Sequence, residues 1–360
     1  MSNQLRCPLM SLRPIQVFRL DLPLDGETFD GLINAQSAIK LEIHPARGAD
    51  DAAWHSLQGA HVYHVSSAKD DLPPHWFVNQ ALLERCPNLL AVSSYGAGYD
   101  TVEVDACNRA GVAVMNQAGS NASAVAEHTL GLILGLSKRI GESDRRLRRG
   151  ERFARHEAMG FDLHGRTLGL VGIGHAGSRV AHLAQAFGMR VLAHDPYVMP
   201  DEVKRRGAES AGMAQLLSQS DVVSLHCPLD ASTRHLMDAA SFAAMRPGAL
   251  FISTARGGIH DEKALFDALT SGHLAGAGLD VWSTEPPPVD HPLLTLDKVL
   301  ATHHTAGVTL DSRRQMASMA AQQIIGLASG HRPPRLVNPE VWPAFALRFE
   351  RLFGRKLPTK

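Results

Sequence analysis

Short apolar runs alternate with amphipathic segments through the first third of the chain. The runs have the length and composition of strands, and the segments between them repeat apolar residues at helical spacing. Strands that alternate with helices over short connections favour a parallel, doubly wound sheet. The pattern predicts strands at 15–20, 39–44, 61–66, 89–94 and 112–116, and helices at 28–35, 50–57, 74–85 and 104–110.

A long helical segment is predicted next, at 121–149, with Asn121 as its N-cap. Its apolar middle, 130–136, predicts burial on several sides, whereas the charged stretch 138–152 is typical of a solvent-exposed face. A tail is expected from Pro333 and Pro334, and it ends in a basic, loosely patterned segment. Between these regions the pattern predicts strands at 168–172, 189–195, 221–226, 249–254, 275–281 and 299–302, and helices at 176–187, 213–217, 240–245, 263–269 and, last, 311–328.

The stretch 168–195 has the order strand, glycine turn, helix and strand, and it ends in an acid. Gly172 permits the tight turn, Gly174 lets the backbone approach a pyrophosphate, and Gly177 lets helix and strand pack closely. The N-terminus of the helix would offer N–H groups to the phosphates. Asp195 can accept both ribose hydroxyls and would repel a 2′-phosphate, so the fingerprint predicts NAD rather than NADP.

The dinucleotide unit is internal to the chain, because a parallel-sheet domain precedes it. The chain is therefore expected to cross between two domains twice, near 116–121 and near 307–311. We assign 1–118, completed by 309–360, to a substrate domain and 119–308 to a Rossmann NAD-binding domain. Two crossings would make a hinge, and a cleft between the domains would hold the reacting groups.

Composition excludes several classes of function. The 360 residues suit two domains, and the 36 basic and 36 acidic residues balance, so neither nucleic acid nor an anionic membrane is an expected partner. No apolar run is long enough to span a membrane, and the first residues lack a signal-peptide core. Because the cysteines lack metal or redox spacing, we expect a cytoplasmic protein without a metal site; they are Cys7, Cys86, Cys107 and Cys227.

Three stretches carry candidate catalytic groups, and each follows a predicted strand of the nucleotide domain, where ligands of such sheets bind. Arg256, beside Gly257 and Gly258, can bind a carboxylate with two parallel hydrogen bonds. Glu285 lies in a proline-rich loop, and His304 ends the next strand. A neighbouring carboxylate favours the imidazolium, so this pair would make a proton donor. A surface arginine, an ordinary loop acid and a structural histidine are the alternatives.

With these motifs together, the chain from Gly96 to Asn338 resembles the D-isomer-specific 2-hydroxyacid dehydrogenases. The resemblance rests on 95–100, 124–128, 172–195, 226–229, 254–258, 285–286 and 304–307. It implies a flavodoxin-like substrate domain beside the Rossmann domain, a substrate site at Tyr95, Gly96, Ala97, Gly98 and Arg256, and the catalytic residues Arg256, Glu285 and His304. It implies cofactor contacts from Gly172, Gly174, His175, Ala176, Gly177, Asp195, Cys227, Pro228, Thr254, Ala255, Asp280, His304 and Ala306, with Asp280 holding the nicotinamide amide.

The resemblance also implies hydride transfer between NADH and a 2-keto acid, which yields a D-2-hydroxy acid. His304 would protonate the forming alkoxide, Glu285 would hold the imidazolium, and Arg256 with the amides of 96–98 would bind the carboxylate. Glyoxylate or hydroxypyruvate is the expected substrate, 3-phosphoglycerate the second candidate, and an NAD-responsive corepressor-like scaffold the non-catalytic alternative. A homodimer is expected, and incomplete cover of the 130–136 helix would support it.

Two positions depart from the pattern of the family. His175 stands where the fingerprint often has arginine, which would weaken one phosphate contact, and His303 stands in place of a proline. Because adjacent side chains of a strand point to opposite faces, only one of His303 and His304 can face the reacting groups. The Thr-Ala-Gly that follows sets the family register on His304, so His303 is expected to point away.

Overall fold

The computed structural model describes residues 13–22, 26–47 and 50–357, which separate into two compact units. One contains the described residues up to Ser120 and those from Arg313 onward, and is called the N-terminal unit below. The other, called the central unit, is Asn121–Ser312. The chain passes between the units at 120–121 and at 312–313.

The N-terminal unit is built on a parallel sheet. Its strands are β1 (Ile15–Asp21), β2 (Ile39–Pro45), β3 (Val62–Val65), β4 (Ala91–Ser94) and β5 (Ala113–Met115), and its first helices are α1 (Gly26–Asn34), α2 (Asp50–Gly59), α3 (Gln80–Arg85) and α4 (Val104–Ala110). The strand order is β2-β1-β3-β4-β5, with every pair parallel. This is the flavodoxin-like order, so the predicted fold of this unit is confirmed.

The central unit contains a second, larger parallel sheet. Its helices are α5 (Ala122–Ser137), α6 (Ile140–Arg148), α7 (His175–Ala186), α8 (Pro200–Arg205), α9 (Met213–Gln219), α10 (Ala239–Ala244) and α11 (Glu262–Thr270). Its strands are β6 (Thr167–Val171), β7 (Arg190–His194), β8 (Glu209–Ser210), β9 (Val222–Leu225), β10 (Leu250–Ser253), β11 (Gly276–Leu279) and β12 (Val299–Ala301). The order β8-β7-β6-β9-β10-β11-β12 is the Rossmann order with one further strand, which confirms the second predicted fold.

Several predicted element bounds are wrong. The helix predicted at 74–85 is a 3-10 turn, Pro74–Trp76, followed by α3, because Asn79 caps the start of α3 by accepting a hydrogen bond from Leu82 N. The sequence prediction missed α8 and β8. The last strand of the central sheet ends at Ala301, so His303 and His304 lie in the following loop rather than in a strand.

The single helix predicted at 121–149 is also wrong, because α5 and α6 are separate helices. Arg139 lies between them with a φ of 52°, in the left-handed region, where a continuous α-helix cannot pass. Its guanidinium forms a hydrogen-bonded ion pair with Glu142 in the first turn of α6, at 2.8 Å from Nε to Oε2. Asn121 precedes α5 but makes no capping hydrogen bond through its side chain.

The apolar run of α5 is buried in the core of its own unit. Leu130, Leu132 and Ile133 are buried among strands β6 and β10 and helix α7. The prediction of burial on several sides is therefore correct for these residues, and they leave little uncovered apolar surface on α5 that could support a dimer. Among the described residues, no helix is both long and apolar enough to cross a membrane.

The C-terminal part of the chain completes the N-terminal unit with two helices, α12 (Leu310–Ala328) and α13 (Trp342–Phe353). The sequence pattern did not predict α13, which lies within the tail. Trp342, Phe345, Ala346 and Phe349 recur at helical spacing and are buried against one face of the five-stranded sheet, together with Ala317 and Ile324 of α12. The tail is therefore part of the core.

The burial of α13 gives a testable prediction on stability. Phe345→Ala should lower the free energy of unfolding by about 3–5 kcal/mol, because it opens a cavity at a side chain with no solvent exposure. Leu347→Ala, two residues away on the exposed side of the same helix, should change it by about 0.5 kcal/mol or less. Urea titration followed by circular dichroism measures both, and equal losses would contradict the burial of α13.

Candidate active site

The glycine turn after β6 is closed on one side and open on the other. Gly172 has a φ of +94°, and a Cβ atom there would lie 2.8 Å from the backbone nitrogen of Cys227. A Cβ at Gly177 would collide with the carbonyl oxygen of Gly172, whereas one at Gly174 would meet nothing within 4 Å. The first N–H groups of α7, which begins at His175, have no acceptor within the helix. The open side of the turn therefore fits the pyrophosphate of a dinucleotide.

Asp195 follows β7 directly, and two backbone N–H groups fix its carboxylate. Oδ2 accepts a hydrogen bond from Ile173 N at 3.0 Å, and Oδ1 accepts one from Tyr197 N at 3.1 Å. The carbonyl oxygen of Ile173 accepts a hydrogen bond from Arg206 Nη1 at 2.8 Å. The acid is thus held beside the glycine turn, where the fingerprint expects the ribose hydroxyls.

The other predicted cofactor residues follow strands of the same sheet. Cys227 and Pro228 come after β9, and Thr254 and Ala255 come after β10. Burial raises the pKa of the Cys227 thiol to about 11, so this thiol is protonated at neutral pH and is not a nucleophile. The hydroxyl of Thr254 lies 3.1 Å from that of Thr129 in α5, which fixes the start of this loop.

Arg256 follows β10 and is half-buried, and its Nη1 donates to the carbonyl oxygen of Ala255 at 2.8 Å. Two glycines, Gly257 and Gly258, follow this arginine, a pattern that alone would suggest open space around it. The structure gives Gly257 a different role, because a Cβ there would collide with the carbonyl oxygen of Trp282. The loop after β10 is therefore packed directly on the loop after β11.

Glu285 and His304 are hydrogen-bonded to each other. Nδ1 of His304 lies 2.7 Å from Oε2 of Glu285, and Oε1 of Glu285 accepts a second hydrogen bond from Trp282 N at 3.1 Å. The His304 side chain keeps 38% of its surface exposed. Its Nε2 has no hydrogen-bond partner within the part of the chain that the structure describes, and it is the ring nitrogen left for an external group.

The pair stabilises its own charges. The hydrogen bond to Glu285 is the largest cause that raises the pKa of His304, and together with the charges of Glu285 and Asp280 it outweighs the opposing effects of burial and of Arg256. Burial alone would raise the pKa of Glu285, but the hydrogen bond and charge of His304, the Trp282 N–H and the Arg256 charge together lower it. Both directions favour imidazolium beside carboxylate, which is the state required of a proton donor near neutral pH.

The loop that carries His304 is fixed by the buried Asp280. One carboxylate oxygen of Asp280 accepts hydrogen bonds from Thr302 Oγ1 at 2.6 Å and from Thr305 N at 2.8 Å, and the other accepts one from Ala306 N at 2.9 Å. Its carbonyl oxygen accepts a hydrogen bond from His304 N at 2.7 Å. The prediction that Asp280 holds the nicotinamide amide is not tested by these contacts.

The two adjacent histidines differ in their surroundings. His303 is exposed, whereas His304 is half-buried and bonded to Glu285. The alternation of side chains along a strand does not explain this, because the strand has ended and His304 has a φ of 48°. The turn imposed by the hydrogen bonds to Asp280 explains it instead.

In the N-terminal unit, the segment 94–98 after β4, called the carboxylate loop below, exposes its N–H groups. The N–H groups of Gly96, Ala97 and Gly98 have no acceptor among the described residues, while the carbonyl oxygens of Gly96 and Ala97 accept hydrogen bonds from residues that follow β5 and that of Gly98 accepts one from the Ser94 hydroxyl within the loop. The Tyr95 side chain is buried. Successive free N–H groups of this kind form a nest that suits a carboxylate.

Comparison with known proteins identifies the family. A model of the D-isomer specific 2-hydroxyacid dehydrogenase NAD binding domain matches residues 130–306. A glyoxylate reductase of Korarchaeum cryptofilum is 39% identical over 267 residues, which cover 73% of this chain and 80% of that protein. The chain belongs to the D-isomer specific 2-hydroxyacid dehydrogenase family.

Two further similarities agree on the class of reaction. An (S)-sulfolactate dehydrogenase of Chromohalobacter salexigens is 42% identical over 248 residues, 69% of this chain and 80% of that protein. The crystal structure of a D-lactate dehydrogenase from Aquifex aeolicus, complexed with NAD and lactic acid, aligns with a TM-score of 0.77 at 27% identity and covers 89% of this chain and 98% of that one. This family member is an NAD-dependent oxidoreductase that interconverts 2-hydroxy and 2-keto acids.

Sequence reasoning missed the residues that hold the predicted site residues in place. Thr302 fixes Asp280. Its position in the sequence, two residues before His304, could have indicated this role. His128 belongs to 124–128, one of the stretches on which the resemblance rests, and its Nε2 lies 3.0 Å from Thr302 Oγ1. Asn116 and Gln117 hold the carboxylate loop, and nothing in the sequence pattern indicated this. In the described chain, no cluster of His, Cys, Asp and Glu suits a metal ion.

The Glu285–His304 contact gives a prediction on protonation. Glu285→Gln should lower the pKa of His304, because a neutral amide removes the charge that raises it. In the wild type, the pair should contribute fully to the free energy of unfolding below pH 6.5, until Glu285 is protonated. This contribution should be lost as the pH rises through the raised pKa of His304.

Titration of the His304 ring proton by NMR measures this shift. Glu209→Gln, which breaks an exposed ion pair with Arg190 elsewhere in the central unit, is the matched control and should leave the His304 titration unchanged. An unchanged titration in Glu285→Gln would contradict the coupling of the pair.

Proposed function

We propose that this enzyme reduces small 2-keto acids, of the glyoxylate and hydroxypyruvate type, to D-2-hydroxy acids with NADH. The 2.7 Å hydrogen bond between His304 Nδ1 and Glu285 Oε2 carries the proposal, because it supplies a charged proton donor after the last strand of the nucleotide-binding sheet. The name of the Korarchaeum cryptofilum relative supports the choice of substrate. The nest of N–H groups at 96–98 supports a substrate that carries a carboxylate.

Each residue has a defined part in the proposed reaction. The nicotinamide, when bound, supplies the hydride that adds to the keto carbon. His304 donates a proton from Nε2 to the carbonyl oxygen, while Glu285 accepts the hydrogen bond from Nδ1 and keeps the ring oriented and charged. The carboxylate-loop amides bind the substrate carboxylate, and Arg256 has a guanidinium that can bind a carboxylate with two parallel hydrogen bonds. In the oxidative direction, neutral His304 takes the proton back.

A substrate panel tests the substrate class. Glyoxylate, hydroxypyruvate, phosphohydroxypyruvate and sulfopyruvate are supplied separately with NADH, and oxidation of NADH is followed by absorbance. Glyoxylate and hydroxypyruvate, which carry no charged group besides the carboxylate, should give the highest kcat/KM. Turnover of only the phosphorylated acid would show instead that the 3-phosphoglycerate alternative is correct.

The adjacent histidines provide the sharpest test of the mechanism. His304→Ala should lower kcat by roughly a hundredfold or more, which is the usual contribution of a general acid. NADH affinity, measured by fluorescence, should be kept, because the glycine turn is unchanged. His303→Ala, one residue away and exposed, is the control and should change kcat only a few-fold. If His303→Ala is the inactive variant, or if both variants turn over normally, the assignment is wrong.

We also propose that the enzyme is a cytoplasmic homodimer. The free thiols of Cys86, Cys107 and Cys227 support a reducing compartment. Exposed apolar side chains in the central unit support association, since Ile140 is 59%, Leu147 67% and Met159 71% exposed. Ile140 and Leu147 are two turns apart on one face of α6, a segment that the sequence pattern had suggested only as a solvated charged face.

The dimer proposal predicts the effect of a charge on α6. Leu147→Glu should shift the molar mass from dimer to monomer, because it places a carboxylate in the proposed interface. Leu347→Glu, at a leucine of the same 67% exposure in the N-terminal unit, should leave the mass unchanged. Light scattering at micromolar concentration measures both, and a monomeric wild type would rule the proposal out.

A further inference from the structure

We propose that Gln117 is a positioning residue for substrate binding, which turns the N–H groups of the carboxylate loop towards the substrate. The inference rests on the proposed function, because it takes this loop as the carboxylate site. Gln117 follows β5 and has no solvent exposure. It contacts the loop through both its backbone and its side chain.

The hydrogen bonds to the loop fix the direction of its peptide groups. Gln117 N donates to Gly96 O at 2.9 Å, and Gln117 Nε2 donates to Ser94 O at 3.0 Å. The adjacent Asn116 donates from Nδ2 to Ala97 O at 2.7 Å. Because a peptide N–H points opposite to the carbonyl of the preceding residue, fixing Gly96 O and Ala97 O on one side directs the N–H groups of Ala97 and Gly98 to the other, while the bond from Gln117 Nε2 to Ser94 O anchors the start of the loop.

The orientation of the Gln117 amide is set by its partners at both ends. Ser94 O can only accept, so the NH2 group of Gln117 must face it, and Oε1 of Gln117 then faces Gln323 Nε2 at 2.9 Å. Gln323 Nε2 also donates to Asn116 O at 2.9 Å, and Gln323 Oε1 accepts from Arg335 N at 3.2 Å. Each side-chain nitrogen and oxygen of the two amides has a partner, and reversing either amide would place like groups together.

This buried chain connects α12 with the carboxylate loop. Gln323 lies in α12 and is 4% exposed, so its hydrogen bonds and those of Gln117 are shielded from water. A buried polar group that loses its partner is costly, which means the loop carbonyls would move to find another donor. Such a movement rotates the amides away from the carboxylate and leaves the central unit, with its glycine turn, unchanged.

Variants of Gln117 and Gln323 test this role. Gln117→Glu keeps the shape but places an acceptor against Ser94 O, and Gln323→Glu does the same against Asn116 O and Gln117 Oε1. Gln117→Met removes both side-chain hydrogen bonds but places no second acceptor against Ser94 O. It is the variant to measure if Gln117→Glu does not fold. Gln322→Glu is the matched control, because Gln322 is the exposed neighbour in α12 and bonds only to Ser318 Oγ.

Each variant is measured for kcat, for KM of the keto acid and for NADH affinity. Binding of oxamate to the NADH complex, by calorimetry, adds a readout that needs no turnover. The position-117 variants should raise KM and the oxamate Kd roughly tenfold, the effect of one lost hydrogen bond to a fixed group, with kcat within about threefold and NADH affinity unchanged. Gln323→Glu should act in the same direction, and Gln322→Glu should match the wild type.

Two results would overturn the inference. One is an unchanged KM and oxamate Kd in folded variants at position 117. The other is a parallel loss of oxamate and NADH affinity with a lower Tm, which is the signature of general destabilisation. The two proposals can fail separately. If the wild type binds oxamate more tightly than the position-117 variants but reduces none of the keto acids, the positioning role is supported and the proposed function is contradicted.

Discussion

The buried carboxylate of Asp280 is the constraint on which the catalytic edge of the central unit depends. A carboxylate with no solvent exposure is strongly unfavourable unless hydrogen bonds replace its water. Asp280 obtains these from Thr302, Thr305 and Ala306, three residues of one short loop. The loop must therefore wrap around the Asp280 carboxylate, and His304 lies in the middle of this loop.

The same closure explains the unusual backbone of His304. A non-glycine residue in the left-handed region costs roughly 1–2 kcal/mol, and no local sequence feature favours it here. The hydrogen bonds to Asp280 on either side offset that cost. Glu285 is held in an equally definite place, because Ser283 N donates to Glu262 Oε1 at 2.7 Å while Trp282 N donates to Glu285 itself. Two loops with separate anchors thus meet at one hydrogen bond.

The sequence was sufficient for the two sheets and for naming Glu285 and His304, which the structure brings together. Strand periodicity and the glycine spacing from Gly172 to Asp195 are local signals, so both folds could be predicted. The break at Arg139 was missed although its partner Glu142 is only three residues away, whereas the loop conformation at His304 could not be predicted, since it is set by Asp280 and Glu285, which are distant in sequence. The error at α13 is of another kind, because the spacing of Trp342, Phe345 and Phe349 is helical and was present in the sequence. The charged and proline-rich surroundings obscured it.

Both units contain a loop with backbone N–H groups that are left without an acceptor among the described residues, and each loop is a proposed anion site. In the glycine turn, Ile173 has its N–H bound to Asp195 and its carbonyl bound to Arg206, so the residues that follow are left to face outward. In the carboxylate loop, the carbonyls are bound by Asn116 and Gln117, and the amides remain. Backbone amides need no charged side chain to attract an anion, and they cannot be lost by titration. Amides can bind an anion only if their N–H groups point in a fixed direction. The side chains that bind the neighbouring carbonyls are therefore as necessary to anion binding as the amides themselves.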